Sequence, residues 1–197
     1  MGTGAKIAIG CVIAVVIAGI VVIVALGGLA FWAKGKAEQF TAEQSRITEL
    51  EKKANANPFT RPADGAISED RLLKFLDARK RVYAVYEAHK AEIDALGEKK
   101  QADFGDVRKG FNLINELRLA KAQGLADVGM SQDEYQFLVE QVYKSMGASE
   151  AAKPGSDKSA SPPALDVTVP PANIALFRKH EADIKKYAMS GMEWIGL

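Results

Sequence analysis

The chain has two histidines, His89 and His180, and histidine is the side chain most often used to bind metals and transfer protons near neutral pH. A zinc-binding helix needs a second histidine four residues away, and di-iron sites in helical bundles use a Glu-x-x-His spacing. Neither histidine has these companions. Both are therefore predicted to be ordinary surface or partly packed residues, and no metal site and no cofactor are expected.

Two pairs of adjacent carboxylates, Glu69-Asp70 and Asp133-Glu134, are the other groups suited to acid-base catalysis. Each pair begins a predicted helix, where the helix dipole already favours negative charge. The glycines fall singly at predicted helix ends and breaks, without the spacing of a nucleophile elbow, a Walker loop or a dinucleotide fingerprint. No catalytic residue is therefore expected, and the protein is predicted not to be an enzyme.

An apolar run from Ile7 to Ala33 contains no charged residue. A helix needs roughly 20 apolar residues to cross a bilayer, so this run is long enough to span one with some tilt. A cleaved signal peptide has a much shorter apolar core, of about 7 to 15 residues, and is the less favoured alternative. Residues 1–33 are therefore predicted to form a single-pass transmembrane anchor. Residues suited to the membrane interface follow at one end: Phe31, Trp32, Lys34 and Lys36.

Small residues recur at four-residue spacing within this run, at Gly10, Ala14 and Ala18. Such a stripe lets two helix backbones approach closely in lipid. Because Gly and Ala are common in membrane helices, a plain anchor in contact only with membrane lipid is the alternative. The stripe predicts packing against another transmembrane helix, from a second copy or from a partner protein.

Charge and cysteine content limit the partners of the remaining chain. The protein has 26 Lys and Arg against 25 Asp and Glu, and only Lys6 is charged before Lys34, so the part after Ala33 has no net charge. A nucleic-acid ligand would require a basic face, so nucleic acid is not expected as a partner. The single cysteine, Cys11, lies in the apolar run and excludes a disulfide framework within the chain.

Two arguments about orientation conflict. The basic residues Lys34, Lys36, Arg46 and Lys52 outnumber Lys6, which by the positive-inside rule places the domain in the cytoplasm. A short head followed by one early span is instead typical of a bacterial signal anchor, and large domains translocate largely regardless of their charge. A periplasmic or extracytoplasmic domain is the favoured prediction, and a cytoplasmic one is the alternative.

The predicted fold class is all-α, a single amino-terminal transmembrane helix followed by a small antiparallel bundle of three to four helices. Residues 34–67 are expected to form a helical stalk and a proline-containing hinge, and residues 68–147 a helical domain. That domain should contain one helix of about 30 residues from Ser68, a second over 106–128 and a third over 132–146. Gly129 and a Ser131–Glu134 capping box should join the last two as a hairpin.

The carboxyl-terminal part is divided by its proline content. Residues 148–171 are predicted to be a flexible Pro/Ser/Ala linker with an extended arm, followed by a helix over 173–189 that completes the bundle. The segment 172–197 ends in an apolar tail, whereas chain ends are usually polar and frayed. The tail is expected to fold onto its own bundle, and the alternative is a partner's groove. Its candidate contact residues are Met192, Trp194, Ile195 and Leu197.

Two functional classes are compatible with these features. The favoured class is a membrane-anchored interaction or scaffold protein, an accessory subunit of a larger membrane or cell-envelope assembly. The alternative is a free-standing envelope binding module for a small apolar ligand or peptide, since aromatic residues lie on the amphipathic faces. Ordinary core packing explains those aromatic residues equally well.

Overall fold

The computed structural model of the protein describes residues 37–98, 103–151 and 169–188, and these residues form seven helices and no strand. The all-α class is thereby confirmed. Among the helices in these ranges, none combines the length and the apolar character needed to cross a membrane. The predicted span over 7–33 lies outside the described residues. The helices are α1 Ala37–Asn55, α2 Glu69–Ala88, α3 Lys90–Glu98, α4 Phe104–Val128, α5 Gln132–Ala151, α6 Pro171–Lys179 and α7 Glu181–Tyr187.

Helix α1 is part of the core and not a separate stalk. It packs along α4, and Ile47 and Ala54 are 1% and 0% exposed. The two helices run in the same direction, because Gln44 donates to Asn115 near one end and Asn55 accepts from the Gln132 amide near the other. The apolar positions of α1 were too sparse to indicate this from the sequence. They are nevertheless sufficient, since the helix buries only one narrow stripe.

Helices α2 and α4 form the largest helix pair and run antiparallel. Arg71, near the start of α2, reaches the Gly129 carbonyl after α4, and His89 at the other end of α2 contacts Glu116. They approach closely where Gly124 meets Ala78. A Cβ atom at Gly124 would lie 3.1 Å from the Cα and carbonyl oxygen of Ala78. The sequence predicts Gly124 to be a weak point of its helix, but the residue permits this close crossing.

Two predicted helices are each interrupted at a histidine. The long helix expected from Ser68 ends at Ala88, and α3 resumes after His89. The carboxyl-terminal helix expected over 173–189 is likewise divided by His180 into α6 and α7. Amphipathic spacing continues through both breaks, so the pattern alone does not show them. Leu73 of α2 is a large apolar residue that is 47% exposed.

The joint between α4 and α5 has the predicted capping chemistry but not the predicted packing. Gly129 ends α4 with a φ of +62°, and the Ser131 hydroxyl accepts from the Glu134 amide at 3.2 Å. The two helices then diverge, so the expected hairpin is wrong: α5 packs mainly against α6, and α4 against α1 and α2. The Glu134 carboxylate bonds to Arg71 in the first turn of α2. Helix α5 also continues through Gly147, where it was expected to stop, to Ala151.

The proline-containing segment between α1 and α2 is held in place by Asn173 of α6. The side-chain oxygen of Asn173 accepts from the Ile67 amide at 2.9 Å, and its nitrogen donates to the Gly65 carbonyl at 2.9 Å and to Gln141 at 3.2 Å. Asn173 is 1% exposed. These bonds satisfy the backbone groups of Gly65 and Ile67 where the loop meets the core, so this end of the predicted hinge is fixed against α5 and α6.

A candidate interaction groove beside two buried cations

The candidate site is a shallow groove between α2, α5 and α7. Each helix contributes an apolar face to it, and the buried guanidinium of Arg79 is its only charged lining group. The cavity volume is about 10 Å³, which is about the space that one water molecule requires. Its lining residues are Phe75, Leu76, Arg79, Val142, Tyr143, Met146, Ile184, Tyr187 and Ala188.

Arg79 is 1% exposed and forms the polar floor of this groove. Its guanidinium donates to the hydroxyl of Tyr135 at 2.8 Å and to the backbone carbonyl of Tyr187 at 2.7 Å. The ring of Tyr135 also packs against Phe75, with centroids 5.4 Å apart. Burying a charge is costly unless its hydrogen bonds are made, so these acceptors fix the position of Arg79.

The end of α7 is held against the groove by a second donor. The hydroxyl of Tyr143 donates to the backbone carbonyl of Ala188 at 3.2 Å. Consecutive carbonyls, those of Tyr187 and Ala188, therefore accept hydrogen bonds from side chains of two other helices. These two bonds fix the position of the last described residues, Tyr187 and Ala188, against the groove.

Lys121 places a second cation beside the same tyrosine. It is 6% exposed, and its ammonium group lies 4.9 Å from the centre of the Tyr135 ring. Burial lowers the pKa of Lys121 to about 8, against the opposing charge of Glu51 and with smaller contributions from Arg79 and Arg118. Tyr135 therefore contacts one buried cation through its hydroxyl and another through its ring.

The lining of the groove is mostly apolar. Arg79 and Tyr143 already donate to the backbone carbonyls of Tyr187 and Ala188. The remaining lining consists chiefly of apolar side chains that would contact a peptide or another apolar surface. A general acid paired with a general base is not found in its lining. In the described part of the chain, no group of three or more His, Cys, Asp and Glu side chains could hold a metal ion.

The two histidines lie outside the groove and take part in ion pairs. Hydrogen bonds to Glu92 and Glu116 raise the pKa of His89, whose ring nitrogens lie 3.3 and 3.0 Å from those carboxylates. His180 contacts Glu69 at 2.8 Å. Hydrogen bonds from Lys179 and His180 lower the pKa of Glu69. These contacts connect neighbouring helices and hold their ends together.

Every site residue predicted from the sequence lies outside the described ranges. This holds for the helix-packing stripe, for the interface residues and for the tail, so each of these assignments stays a prediction. The residues concerned are Gly10, Ala14, Ala18, Phe31, Trp32, Lys34, Lys36, Met192, Trp194, Ile195 and Leu197.

The two buried cations were missed because charged residues are normally expected on the outer face of an amphipathic helix. Arg79 nonetheless lies three residues after Leu76 and three before Val82, both of them buried. A helical period of 3.6 residues places it on the same face as these apolar residues, and this spacing was the available signal. Lys121 lies between buried Leu117 and Leu125 in the same way.

No family model, curated protein or solved structure matches the chain.

Proposed function

We propose that the protein is a membrane-anchored helical interaction protein, an accessory single-span subunit of a larger membrane or cell-envelope assembly. The observation that carries this proposal is the uncharged apolar run from Ile7 to Ala33, followed by Lys34 and Lys36. Its length and its flanking residues are typical of a membrane helix. The stripe of Gly10, Ala14 and Ala18 offers a surface on which a second membrane helix could pack.

The described fold is compatible with a domain carried close to a bilayer. Helix α1 begins at Ala37, only four residues after Ala33. Helix α1 is packed into the core and runs parallel to α4. An anchor over 7–33 would therefore be joined to the domain through one of its core helices. The amino-terminal end of α4 would then lie on the membrane-proximal side, and the proline-containing loop on the far side.

A role in interaction is favoured over the alternative of a small-ligand module by the size of the groove. With room for about one water molecule, the groove between α2, α5 and α7 is much smaller than the roughly 300 to 1,000 Å³ of typical ligand sites. Its apolar rim is better suited to an added segment of polypeptide. In this proposal the domain faces the periplasm or another extracytoplasmic space.

The proposal is tested by the mass and composition of the native protein, extracted from its own membranes in a mild detergent. We expect a mass well above the 21.2 kDa of the chain, with other proteins present in fixed ratio. A chain that migrates alone would contradict the accessory-subunit proposal.

A pair of double variants tests the membrane stripe within the same experiment. Replacing Ala14 and Ala18 with Leu should release the partner proteins, because the larger side chains prevent close backbone approach. Replacing Val12 and Val16 with Leu alters the opposite face of the same helix and should leave the complex intact. Equal retention of partners in both variants would remove the stripe from the proposal.

A further inference from the structure

We propose that residues 189–197 of this same chain pack along the groove between α2, α5 and α7 and cover its apolar rim. This inference does not depend on a membrane anchor or on a partner protein. It assigns an intramolecular occupant to the groove from the path of the backbone, the chemistry of the lining and the sequence of the segment.

The first argument is the point at which the segment begins. Residue 189 follows Ala188, which itself lines the groove. The carbonyl of Ala188 accepts from Tyr143, and the preceding carbonyl accepts from Arg79, which is 1% exposed. Because both donors come from the walls of the groove, the next residues start beside its apolar rim.

The second argument is the match between the segment and the lining. Residues 189–197 read MSGMEWIGL and are predominantly apolar. Arg79, the one charged group of the lining, is buried and already donates to Tyr135 and to the carbonyl of Tyr187, so the surface offered to the segment is apolar. An apolar segment is therefore matched to an apolar rim.

The third argument is the apolar area that the described residues leave uncovered. Tyr143, Met146 and Tyr187 lie at the rim and are only partly buried. The cavity beneath them, of about 10 Å³, is too small to admit a large side chain. Trp194 and Ile195 would therefore lie over the rim, where a tryptophan can bury roughly 150 to 250 Å² of its own surface.

Tryptophan fluorescence tests the inference in the full chain. The protein has two tryptophans, so Trp32→Phe leaves Trp194 as the only emitter. We expect blue-shifted emission from Trp194 and weak quenching by acrylamide in detergent solution. Emission and quenching typical of a solvent-exposed indole would overturn the proposal.

Groove variants in the Trp32→Phe background show whether this protection comes from the groove. Met146→Asp should shift the emission of Trp194 to the red and increase its quenching at least twofold, because a charge is introduced at the apolar rim. The milder Tyr143→Phe removes the bond to the Ala188 carbonyl and should give a smaller change in the same direction. Leu73→Asp is the matched control, since Leu73 is 47% exposed and outside the lining. With helical circular dichroism retained, an unchanged spectrum in both groove variants would contradict the inference.

Disulfide trapping identifies which molecule supplies the segment. In a Cys11→Ala background, Met146→Cys is combined with single cysteines introduced in turn at positions 190–197, and the protein is oxidised at low concentration. We expect an intramolecular disulfide at one or two of these positions, detected by mass spectrometry in the monomer band. Disulfide-linked dimers alone would assign the groove to a second copy. If no disulfide forms at any position, the protection of Trp194 comes from detergent or from another partner. Either result, linked dimers alone or no disulfide, overturns the proposal.

Discussion

At the scale of single residues, the unusual feature of this protein is that two cations are buried around one tyrosine. Arg79 and Lys121 are 1% and 6% exposed, and both contact Tyr135. A guanidinium keeps its charge at all accessible pH values, whereas a buried ammonium can lose its proton. Burial lowers the pKa of Lys121 to about 8. The free-energy cost of burying this ammonium group therefore depends on pH.

Replacing Lys121 with Met should stabilise the protein at pH 7 by about 1 to 3 kcal/mol, since it removes a buried charge and keeps the apolar stem. The pKa of Lys121 is about 8 in the folded protein and near 10.5 in the unfolded chain, so the unfolded chain binds more protons between these values. The stability of the wild type therefore rises with pH over this window, and the advantage of Lys121→Met should shrink. Urea unfolding at pH 7 and pH 9.5 measures the difference.

The matched control for this comparison is Lys80→Met on the exposed surface of α2. It should change the free energy of unfolding by no more than about 0.5 kcal/mol at either pH. A gain for Lys121→Met that stays constant from pH 7 to pH 9.5 would show that the ammonium group is not the source of the cost.

At the scale of helices, the crossing of α2 and α4 depends on the absence of a side chain at Gly124. A Cβ atom there would lie 3.1 Å from backbone atoms of Ala78, which cannot move without shifting the helix. Gly124→Ala should therefore destabilise the protein by about 1 kcal/mol net, because the steric cost exceeds the gain in helix propensity. Gly147→Ala is the control: nothing lies within 4 Å of its added Cβ, and it should stabilise by about 0.5 to 1 kcal/mol. Thermal unfolding of both variants tests the contrast, and a gain of stability in both would contradict the tight crossing.

The bounds of the helices could be predicted better than which helices pack against one another. The range 106–128 differs from the observed α4 only at its start, and Gly129 was correctly identified as its end. The partners of each helix depend on contacts between residues far apart in sequence, such as Arg71 with Glu134 or Asn173 with Ile67. No local pattern reports these contacts. The groove could not be predicted for the same reason, since it requires three helices to meet.

At the scale of the whole molecule, the core includes the helix that was expected to be a stalk. A protein with residues 1–55 removed should lose cooperative thermal unfolding, because the face of α4 that packs on Ile47 and Ala54 would be exposed. A protein beginning at residue 37 retains α1 and is the matched control, for which we expect a cooperative transition. Circular dichroism on heating compares the two. Equal melting temperatures of the two proteins would show that α1 is a stalk and not part of the core.

The packing of α1 also has a consequence for the order in which the protein acquires its structure during synthesis. Gln44 is joined to Asn115 and Asn55 to Gln132, so α1 contacts residues that the ribosome adds more than 70 positions later. Contacts of such long sequence separation close slowly, because the intervening chain must first be ordered. A newly made α1 therefore waits with its apolar stripe uncovered until α4 has emerged. During that interval its apolar stripe is open to chaperones or to misassembly.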